Sequence, residues 1–449
     1  MQKTVLTQAV AVALATLGMG SAFAQSSLTL YGNADVSIDN VKGTKGVALA
    51  PGLGASTVGL FNKGSVTRVS PSATSQTSYG IRGTEDMGGG FKASFVLEGQ
   101  LSHDTGALSQ DGRMFGRQSY VGLTTPFGEI RMGRQYAPIF YSTAVVTGER
   151  FGATDLFIEG GATNNLMVRQ DNQISYWLKA GGLTASVAYT PNAGSYSTVS
   201  PLRGGNAAAA GQGILGAAGA GNESAETDLG RAIGLFANYA VDESLNFSFG
   251  YHRNEFDGAQ FGTFAPNPFT PSDPDDTLPV LSDLSLDHYQ ALNLGAKYVM
   301  PGSNIMLSAT AGQGKYSFEG GADELKLQFM AIGVRVPVNA WTFSAQASQI
   351  KFKNFTEGKD TGMMLGAEYA LSKRTSLFAR WVQIKDDEGK ASNDAGFEAT
   401  GLGPIGPVVG GPTVIATALG FRETPVFAGA GLNPGGKTTY VGAGIRHSF

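Results

Sequence analysis

Two arginines lie in segments where large apolar side chains alternate with small or polar ones. Arg82 follows Ile81, and Arg131 lies between Ile130 and Met132. Adjacent residues of a strand face opposite sides, so both guanidinium groups are expected opposite the apolar face. A guanidinium keeps its charge at ordinary pH and therefore acts as a fixed positive charge beside water. Such charges can bias the passage of ions and dipolar solutes.

Two further arginines show a similar phase. Arg117 is opposite in phase to Tyr120, which we assign to the apolar face. Arg169 and Asp171 share one phase of a later segment. The other phase of that segment holds Asn172, Ile174 and Tyr176. The alternation therefore predicts that all four arginines share the water-facing side of their strands.

Covalent chemistry has little support in the sequence. The chain contains no cysteine and four histidines, His103, His252, His288 and His447. None of these histidines lies in a nucleophile motif, and no H-E-x-x-H pattern is present. We therefore expect no enzymatic activity, no cofactor and no metal.

The charge balance argues against nucleic-acid binding. The chain has 32 Lys and Arg against 36 Asp and Glu, a net charge of −4 at pH 7. A nucleic-acid partner would favour a basic surface, so none is expected. Charged residues make up only 15% of the chain, whereas 64 of its 449 residues are glycine. No helical periodicity persists along it.

The first 24 residues have the pattern of a signal peptide. Lys3 supplies a positive start, Val5 to Leu17 is apolar, and Ala22-Phe23-Ala24 is a small-residue cleavage site. The alternative is a single membrane anchor, which the short apolar run disfavours. We predict a signal peptide at 1–24 and a mature domain at 25–449.

Alternation with a period of two continues through the mature chain. From Leu245 to His252, for example, every odd position is large and apolar. A soluble sandwich gives the same alternation. Here, however, short turns alternate with long Gly/Pro/Ser-rich connections, and all 18 prolines fall in connections or at strand boundaries. Both features favour an outer-membrane barrel. An aromatic girdle is expected at Tyr189, Tyr239, Tyr298, Trp341 and Tyr369.

The predicted fold is an all-β transmembrane antiparallel β-barrel of about 16 strands, wide enough for an aqueous lumen. A charge on its lipid face near the bilayer midplane would cost about 2–4 kcal/mol, so the four arginines should line the lumen. The predicted strands are 28–38, 76–85, 91–100, 115–124, 128–136, 168–178, 182–190, 230–240, 244–253, 287–299, 303–314, 325–336, 340–352, 361–371, 375–386 and 438–449.

Three long connections are expected outside the barrel wall, at 191–229, 254–286 and 387–437. Loops on a rigid scaffold often carry surface recognition. Flexible filler is the alternative, and it is favoured for the Ala/Gly-rich residues 206–221.

Short segments distributed along the chain carry a family resemblance. They are SLTLYG (27–32), GIRGTEDMGGG (80–90), FGRQSYVGL (115–123), FGEIRMGRQ (127–135), GAEYALSKRT (366–375) and the C-terminal GIRHSF (444–449). In this order they resemble the general, non-specific porins of Gram-negative bacteria, in the betaproteobacterial form. The resemblance implies a homotrimeric, sixteen-stranded channel of the outer membrane for passive diffusion of small hydrophilic solutes and ions. It also implies an inward-folded third outer loop.

The resemblance extends to a charged constriction. The third outer loop should run from about 137 to 165, and its acids should face wall arginines that include Arg117 and Arg169. The implied constriction consists of Arg82, Arg117, Arg131, Arg169, Glu149, Asp155 and Glu159. One departure is Ser78, at a position where the family usually has arginine, so ion selectivity stays open. Weaker pore-lining candidates are Ser78, Lys92, Arg134 and Asp171.

The resemblance also implies partners. Terminal Phe449 should belong to the signal recognised by the barrel-assembly machinery, and His447 and Ile445 share its lipid-facing phase. Expected partners are two further copies of the chain, outer-membrane lipid with lipopolysaccharide, the assembly machinery, and small hydrophilic solutes.

Three alternative functions remain open from the residues. A sugar-specific channel needs aromatic side chains in the lumen, whereas most aromatics here have the lipid phase. A phosphate-specific channel needs a purely basic lumen, which Glu149, Asp155 and Glu159 oppose. An adhesin-like surface role would use the long loops, and it is compatible with a pore.

Overall fold

The computed structural model describes residues 26–44, 64–71, 73–108, 112–147, 169–191, 231–260, 285–318, 324–353, 358–386 and 437–449. These residues form one antiparallel sheet that closes on itself, because the first strand pairs with the last as well as with its neighbours in sequence. The predicted signal peptide lies outside the described residues.

The strands are β1 (Ser26–Thr44), β2 (Gly64–Pro71), β3 (Ser78–Gly88), β4 (Phe91–Gly99), β5 (Gln118–Thr125), β6 (Gly128–Tyr136), β7 (Arg169–Ala180), β8 (Leu183–Thr190), β9 (Ala232–Ala240), β10 (Leu245–Gln260), β11 (Ser285–Val299), β12 (Met306–Phe318), β13 (Leu325–Val338), β14 (Trp341–Lys353), β15 (Gly358–Ala370), β16 (Thr375–Asp386) and β17 (Lys437–Ser448). A helix, α1 (Pro138–Ala144), follows β6.

Strands β2 and β3 are two halves of one barrel strand, since both pair with β1. Pro71 lies opposite Val36, and Ser78 lies opposite Asn33. Residues 73–77 therefore stand against only Ala34 and Asp35, and they interrupt the pairing. With β2 and β3 counted together, the described strands make a sixteen-stranded barrel, as the sequence predicted. The separate segment β2 was missed.

Burial in the barrel is inverted relative to a soluble protein. Leu28 and Ile332 are 73% and 64% exposed, whereas Asp35 and Asn293 are completely buried. Within β10, Phe247 is exposed and its neighbour Ser248 is buried. An apolar outer face suits hydrocarbon, and a polar inner face suits water. The period of two in the sequence thus becomes an outer face for lipid and an inner face for an aqueous lumen.

Aromatic side chains lie near the short turns on the outer face. The Trp341 ring lies 4.8 Å from the ring of Tyr369 and 5.9 Å from that of Phe343. Tyr239 and Tyr298 are exposed beside other short turns. Tyr189 lies at the opposite end of β8. Four of the five predicted girdle residues therefore share one end of the barrel.

Two connections are shorter than the sequence suggested. Strand β12 extends beyond its predicted end and β15 begins before its predicted start, so only residues 319–324 and 354–357 lie in these two connections. The alternation weakens near these ends, where Lys315 and Lys351 take outward positions. Strand pairing continues there without a strong apolar pattern.

Helix α1 lies on the inner face of β9–β11. Pro138 occupies its first turn, where a missing N–H costs nothing. The Ser142 hydroxyl accepts a hydrogen bond from Asn293 at 2.6 Å. A Cβ at Gly250 would approach the Ser142 hydroxyl to 2.5 Å, so glycine at this position of the wall leaves room for the helix. The sequence predicted a loop here, without this helix.

The rest of the third connection, at 148–168, lies outside the described residues. The inward-folded third loop as a whole therefore stays a prediction. Among the described residues, no helix is long and apolar enough to cross a bilayer.

Candidate functional site

Arg117 lies at the centre of a polar network on the inner face of the barrel. Its Nε donates to Glu98 Oε1 at 2.5 Å, and its Nη2 donates to the Tyr136 hydroxyl at 2.5 Å. Its Nη1 donates to Gln76 Oε1 at 3.2 Å and to Gln100 Oε1 at 3.1 Å. The side chain is almost fully buried. These contacts hold the guanidinium in one orientation.

The predicted phase of β5 was wrong, although Arg117 faces the interior. Tyr120 lies on the inner face beside Arg131, and Val121 is 60% exposed on the outer face. Arg117 precedes the first residue of β5, where the chain enters from the preceding connection. It therefore reaches the lumen without following the alternation of the strand.

Arg131 is held between two aromatic rings. Its guanidinium carbon lies 5.2 Å from the Tyr120 ring centre and 4.8 Å from the Trp177 ring centre. Its Nη2 donates to Glu129 Oε2 at 2.8 Å. Cation–π contacts of this kind attract the guanidinium without cancelling its charge. Tyr141 of α1 packs edge-on against Trp177 at 4.9 Å, so the helix supports this arrangement.

Two more predicted arginines join the same wall. Arg169 lies 4.7 Å from the Tyr136 ring centre and donates to the Tyr136 hydroxyl at 3.2 Å. Arg82 lies 5.1 Å from the Tyr31 ring centre. The Tyr31 hydroxyl in turn donates to Glu98 Oε2 at 2.9 Å.

We call these residues the first arginine wall. It consists of Arg82, Arg117, Arg131 and Arg169 with Glu98, Glu129, Tyr31, Tyr120, Tyr136 and Trp177, on β1 and β3–β7. Four guanidinium groups accompany two carboxylates, so the group carries excess positive charge at neutral pH.

The weaker candidates lie apart from this network. Lys92 pairs with Asp86 at 3.3 Å beside the short turn after β3. Arg134 pairs with Asp171 at 2.5 Å and donates to the main-chain oxygen of Gly116. Arg113 also contacts Asp171, at 3.0 Å.

The pair of Arg134 and Asp171 therefore ties β6 and β7 to the connection before β5. Asn172 has a φ of 52°, and the register between β6 and β7 shifts here, between Gly133 and Gln135. Ser78 opens β3 on the phase of Gly80 and Arg82. The acids predicted for the third loop, Glu149, Asp155 and Glu159, lie outside the described residues.

A second group of arginines on the inner face was missed. Arg335, Arg380 and Arg446 surround Glu368 on β13–β17. Arg335 and Arg380 each lie 3.9 Å from Glu368 Oε2, and Arg446 bonds to Glu368 Oε1. We call these four residues the second arginine wall.

The signal for this group was available in the sequence. Arg380 stands between Ala379 and Trp381, and Arg446 stands between Ile445 and His447. The same alternation that identified Arg131 therefore places both side chains in the lumen. The family resemblance pointed only to arginines of the earlier strands.

The C-terminus completes the barrel wall. Gly32 N donates to Phe449 O, and Phe449 N donates to Gly32 O, both at 3.1 Å. The side chains of Phe449 and Ile445 are 47% and 46% exposed. His447 contacts the Thr375 hydroxyl at 2.9 Å on the outer face. The three residues share one face, while their role in assembly stays a prediction.

One cluster of described residues has the composition of a cation site. Ligand atoms of Glu255, Asp287 and His288 lie within 4.8 Å of one another. Arg253 already donates to Glu255 at 2.7 Å and supplies the positive charge there. The arrangement is explained by ion pairing.

Comparisons with known proteins agree with this architecture. The family described as Gram-negative porin matches residues 9–389. The outer membrane porin protein 32 of Delftia acidovorans is 27% identical over 447 residues, covering 98% of this chain and 99% of the relative. An outer membrane porin of Bordetella pertussis is 32% identical over 185 residues, covering 39% of this chain and 44% of that protein.

Solved structures share the fold. The anion-selective porin from Comamonas acidovorans has a TM-score of 0.62 and 24% identity, covering 95% of this chain and all of the other. A trimer form of the outer membrane protein OmpT of Vibrio cholerae has a TM-score of 0.56 and 12% identity, covering 94% of this chain and 99% of the other. The chain belongs to the Gram-negative porin family and is a channel-forming β-barrel of the outer membrane.

Proposed function

We propose that the protein is a non-specific diffusion channel for small hydrophilic solutes and ions, with a fixed positive field that favours anions. The first arginine wall carries this proposal. Its four guanidinium groups face the lumen with only two carboxylates beside them, and each of the four contacts a buried or half-buried aromatic ring. Rings position the charge without neutralising it, so the field extends into the aqueous passage.

Two observations support an anion preference. The second arginine wall gathers three arginines around one carboxylate, again with an excess of positive charge. The structurally similar porin from Comamonas acidovorans is described as anion-selective. The predicted third-loop acids would add negative charge and so oppose the anion preference. Facing the arginines, they would also set a transverse field across the lumen that orients dipolar solutes.

The lumen aromatics do not favour a sugar-specific channel. The sequence placed most aromatics on the lipid face, yet Tyr120, Tyr136 and Trp177 lie inside. Their rings contact Arg131 or Arg169 and are not free to form a row that a sugar could follow. They position charge, which agrees with a non-specific channel.

Planar-bilayer recording of the refolded protein tests the function. We expect large ohmic steps and, under a salt gradient, a reversal potential of the sign that indicates anion preference. Small steps blocked by one particular solute would favour a specific channel. No steps at all would overturn the channel proposal and favour a plugged or adhesive barrel that acts through its long loops.

Assembly and processing are part of the same proposal. We infer a homotrimer, removal of residues 1–24 on export, and a C-terminal assembly signal ending in Phe449. Unheated protein should run on a detergent gel as a slow band that heating converts to monomer. N-terminal sequencing of exported protein should begin at Gln25. A monomer before heating, or an uncut N-terminus, would contradict the corresponding part.

A further inference from the structure

The interruption between β2 and β3 forms a compact structure on the inner face. We call residues 73–77 the inner shelf. Its main chain folds over the carboxylate of Asp35, which projects from β1 towards the lumen and is completely buried. Ala73 is completely buried as well, and Thr77 is only 1% exposed.

Asp35 anchors the shelf through both carboxylate oxygens. Oδ1 accepts a hydrogen bond from Ala73 N at 2.9 Å. Oδ2 accepts from Thr74 N at 3.0 Å, from Ser75 N at 2.9 Å and from the Thr74 hydroxyl. The Thr77 hydroxyl donates to Asp35 O at 3.2 Å. A carboxylate that accepts several N–H bonds is a strong, oriented anchor.

The shelf touches the charged network of the lumen. Gln76 Oε1 accepts a hydrogen bond from Arg117 Nη1 at 3.2 Å. Asn33 donates from β1 to Gln76 O at 3.3 Å and also to the Ser75 hydroxyl. A continuous series of hydrogen bonds therefore connects Asp35, the inner shelf and Arg117.

The inner shelf takes up part of the cross-sectional area of the lumen. Residues 73–77 stand against only Ala34 and Asp35 of β1, so these five residues cannot all lie within the plane of the wall. The bonds to the inward-facing Asp35 show that it lies on the lumen side. It is built from the wall itself and does not depend on the third connection.

We propose that the inner shelf, locked by Asp35, is a fixed second narrowing of the lumen that limits solute size and sets the orientation of Arg117. This inference rests on the proposed diffusion-channel function. Asp35 is a positioning residue in this scheme, because it acts through the shelf.

The Asp35→Asn variant tests the proposal. Asparagine has one oxygen acceptor and one NH₂ donor, so in either orientation its NH₂ group faces a main-chain N–H of the shelf. The shelf should loosen while the side chain keeps its shape. Single-channel conductance should rise by about 1.5-fold, with more open-channel noise, because the narrowest part of a pore dominates its resistance. In liposome swelling, larger sugars should gain more than smaller ones.

Asp39→Asn is the matched control. Asp39 lies on the same face of β1, and it binds Arg68 and Ser70 of β2 at a distance from the shelf. The variant removes the same charge but keeps the anchor, so its sugar size cutoff should match the wild type. Both variants are first checked for heat-modifiable migration, to confirm that the barrel has folded.

The outcomes separate the two levels of the proposal. A wild type that does not conduct would overturn the channel function, and this inference with it. A conducting wild type with a folded Asp35→Asn variant of unchanged conductance and size cutoff would overturn the shelf alone. Equal changes in the two variants would also overturn it, because lost charge would then explain the effect.

A second route applies if Asp35→Asn does not fold. The chain has no cysteine, so Gln76→Cys introduces a single thiol on the shelf. Modification by a charged methanethiosulfonate should lower conductance by about half, because the added group enters the narrowing. Complete modification, verified by mass, with unchanged conductance would contradict the proposal. So would a thiol that stays unmodified in the conducting channel.

Discussion

The two arginine walls hold similar charges by different means. In the first wall, aromatic rings contact the guanidinium groups, as Tyr120 and Trp177 do on either side of Arg131. In the second wall, Arg335 and Arg446 both approach the carboxylate of Glu368. Both arrangements order long, flexible side chains. Each wall keeps an excess of two positive charges, from four arginines and two carboxylates in the first wall and from three arginines and one carboxylate in the second.

Aromatic support and acidic support have different electrostatic consequences. A ring face attracts a cation through its quadrupole and leaves the net charge unchanged. A carboxylate orders the cation but cancels one unit of charge, and a partly buried pair also loses hydration. We expect the first wall to dominate ion preference because helix α1, on the inner face of the barrel, packs against it through Tyr141 and Trp177. The second wall should depend on its acid for stability.

The largest expected effect is loss of anion preference when the first wall is neutralised. The double variant Arg117→Gln, Arg131→Gln should lower the anion-to-cation permeability ratio by about threefold, because fixed charges at a constriction set ion preference. The matched double variant Arg335→Gln, Arg446→Gln should lower it less. Reversal potentials under a salt gradient measure both ratios. Equal losses would remove the distinction between the walls.

The next effect concerns stability. Glu368→Gln leaves three arginines without their shared carboxylate and should destabilise the barrel by about 2–3 kcal/mol. Glu129→Gln should cost only about 1 kcal/mol, because Arg131 keeps its two ring contacts. Urea unfolding in lipid vesicles, monitored by tryptophan fluorescence, gives both values. A larger loss for Glu129→Gln would reverse the proposed roles of ring and acid.

Much of the fold followed from the sequence because each strand alternates independently. The apolar outward positions of β10 and β14 are explicit in their residues. Segment β2 was missed because its outward Val69 and inward Val66 are three apart, which obscures a period of two. Helix α1 was missed because it is a single short apolar stretch, and only its contacts with the barrel wall define it.

The candidate site was less predictable for a physical reason. Alternation states which side of a strand a residue faces, but it does not state what supports the side chain. The contact of Arg131 with Trp177 joins two strands and depends on barrel register. Tyr120 was assigned to the wrong face because Arg117, outside β5, was taken as part of the alternation. The alternation of residues along β16 and β17 is sufficient to predict that Arg380 and Arg446 of the second wall face the lumen.

A moderate effect is expected at Ser78, where the family pattern has arginine. Ser78 shares the inward phase of β3 with Arg82, so Ser78→Arg adds a positive charge to the first wall. The anion-to-cation permeability ratio should rise by about 1.5-fold. Ser78→Gln is the control, because it adds length without charge. A rise in that control as well would assign the effect to pore width.

The smallest expected effect lies away from both walls. Glu324 precedes β13 and pairs with Lys315 and with Lys326, the latter at 3.2 Å. The hydrogen bond from Lys315 holds the pKa of Glu324 below its ordinary value. A lowered folded-state pKa stabilises the protein above the unfolded-state pKa, and this contribution is lost as the pH falls through the folded-state value. Glu324→Gln should therefore be slightly less stable than wild type at neutral pH, and the difference should be smaller at about pH 3. Urea midpoints at the two pH values measure the difference, and a gap that persists undiminished in acid would show that Glu324 acts through something other than its charge.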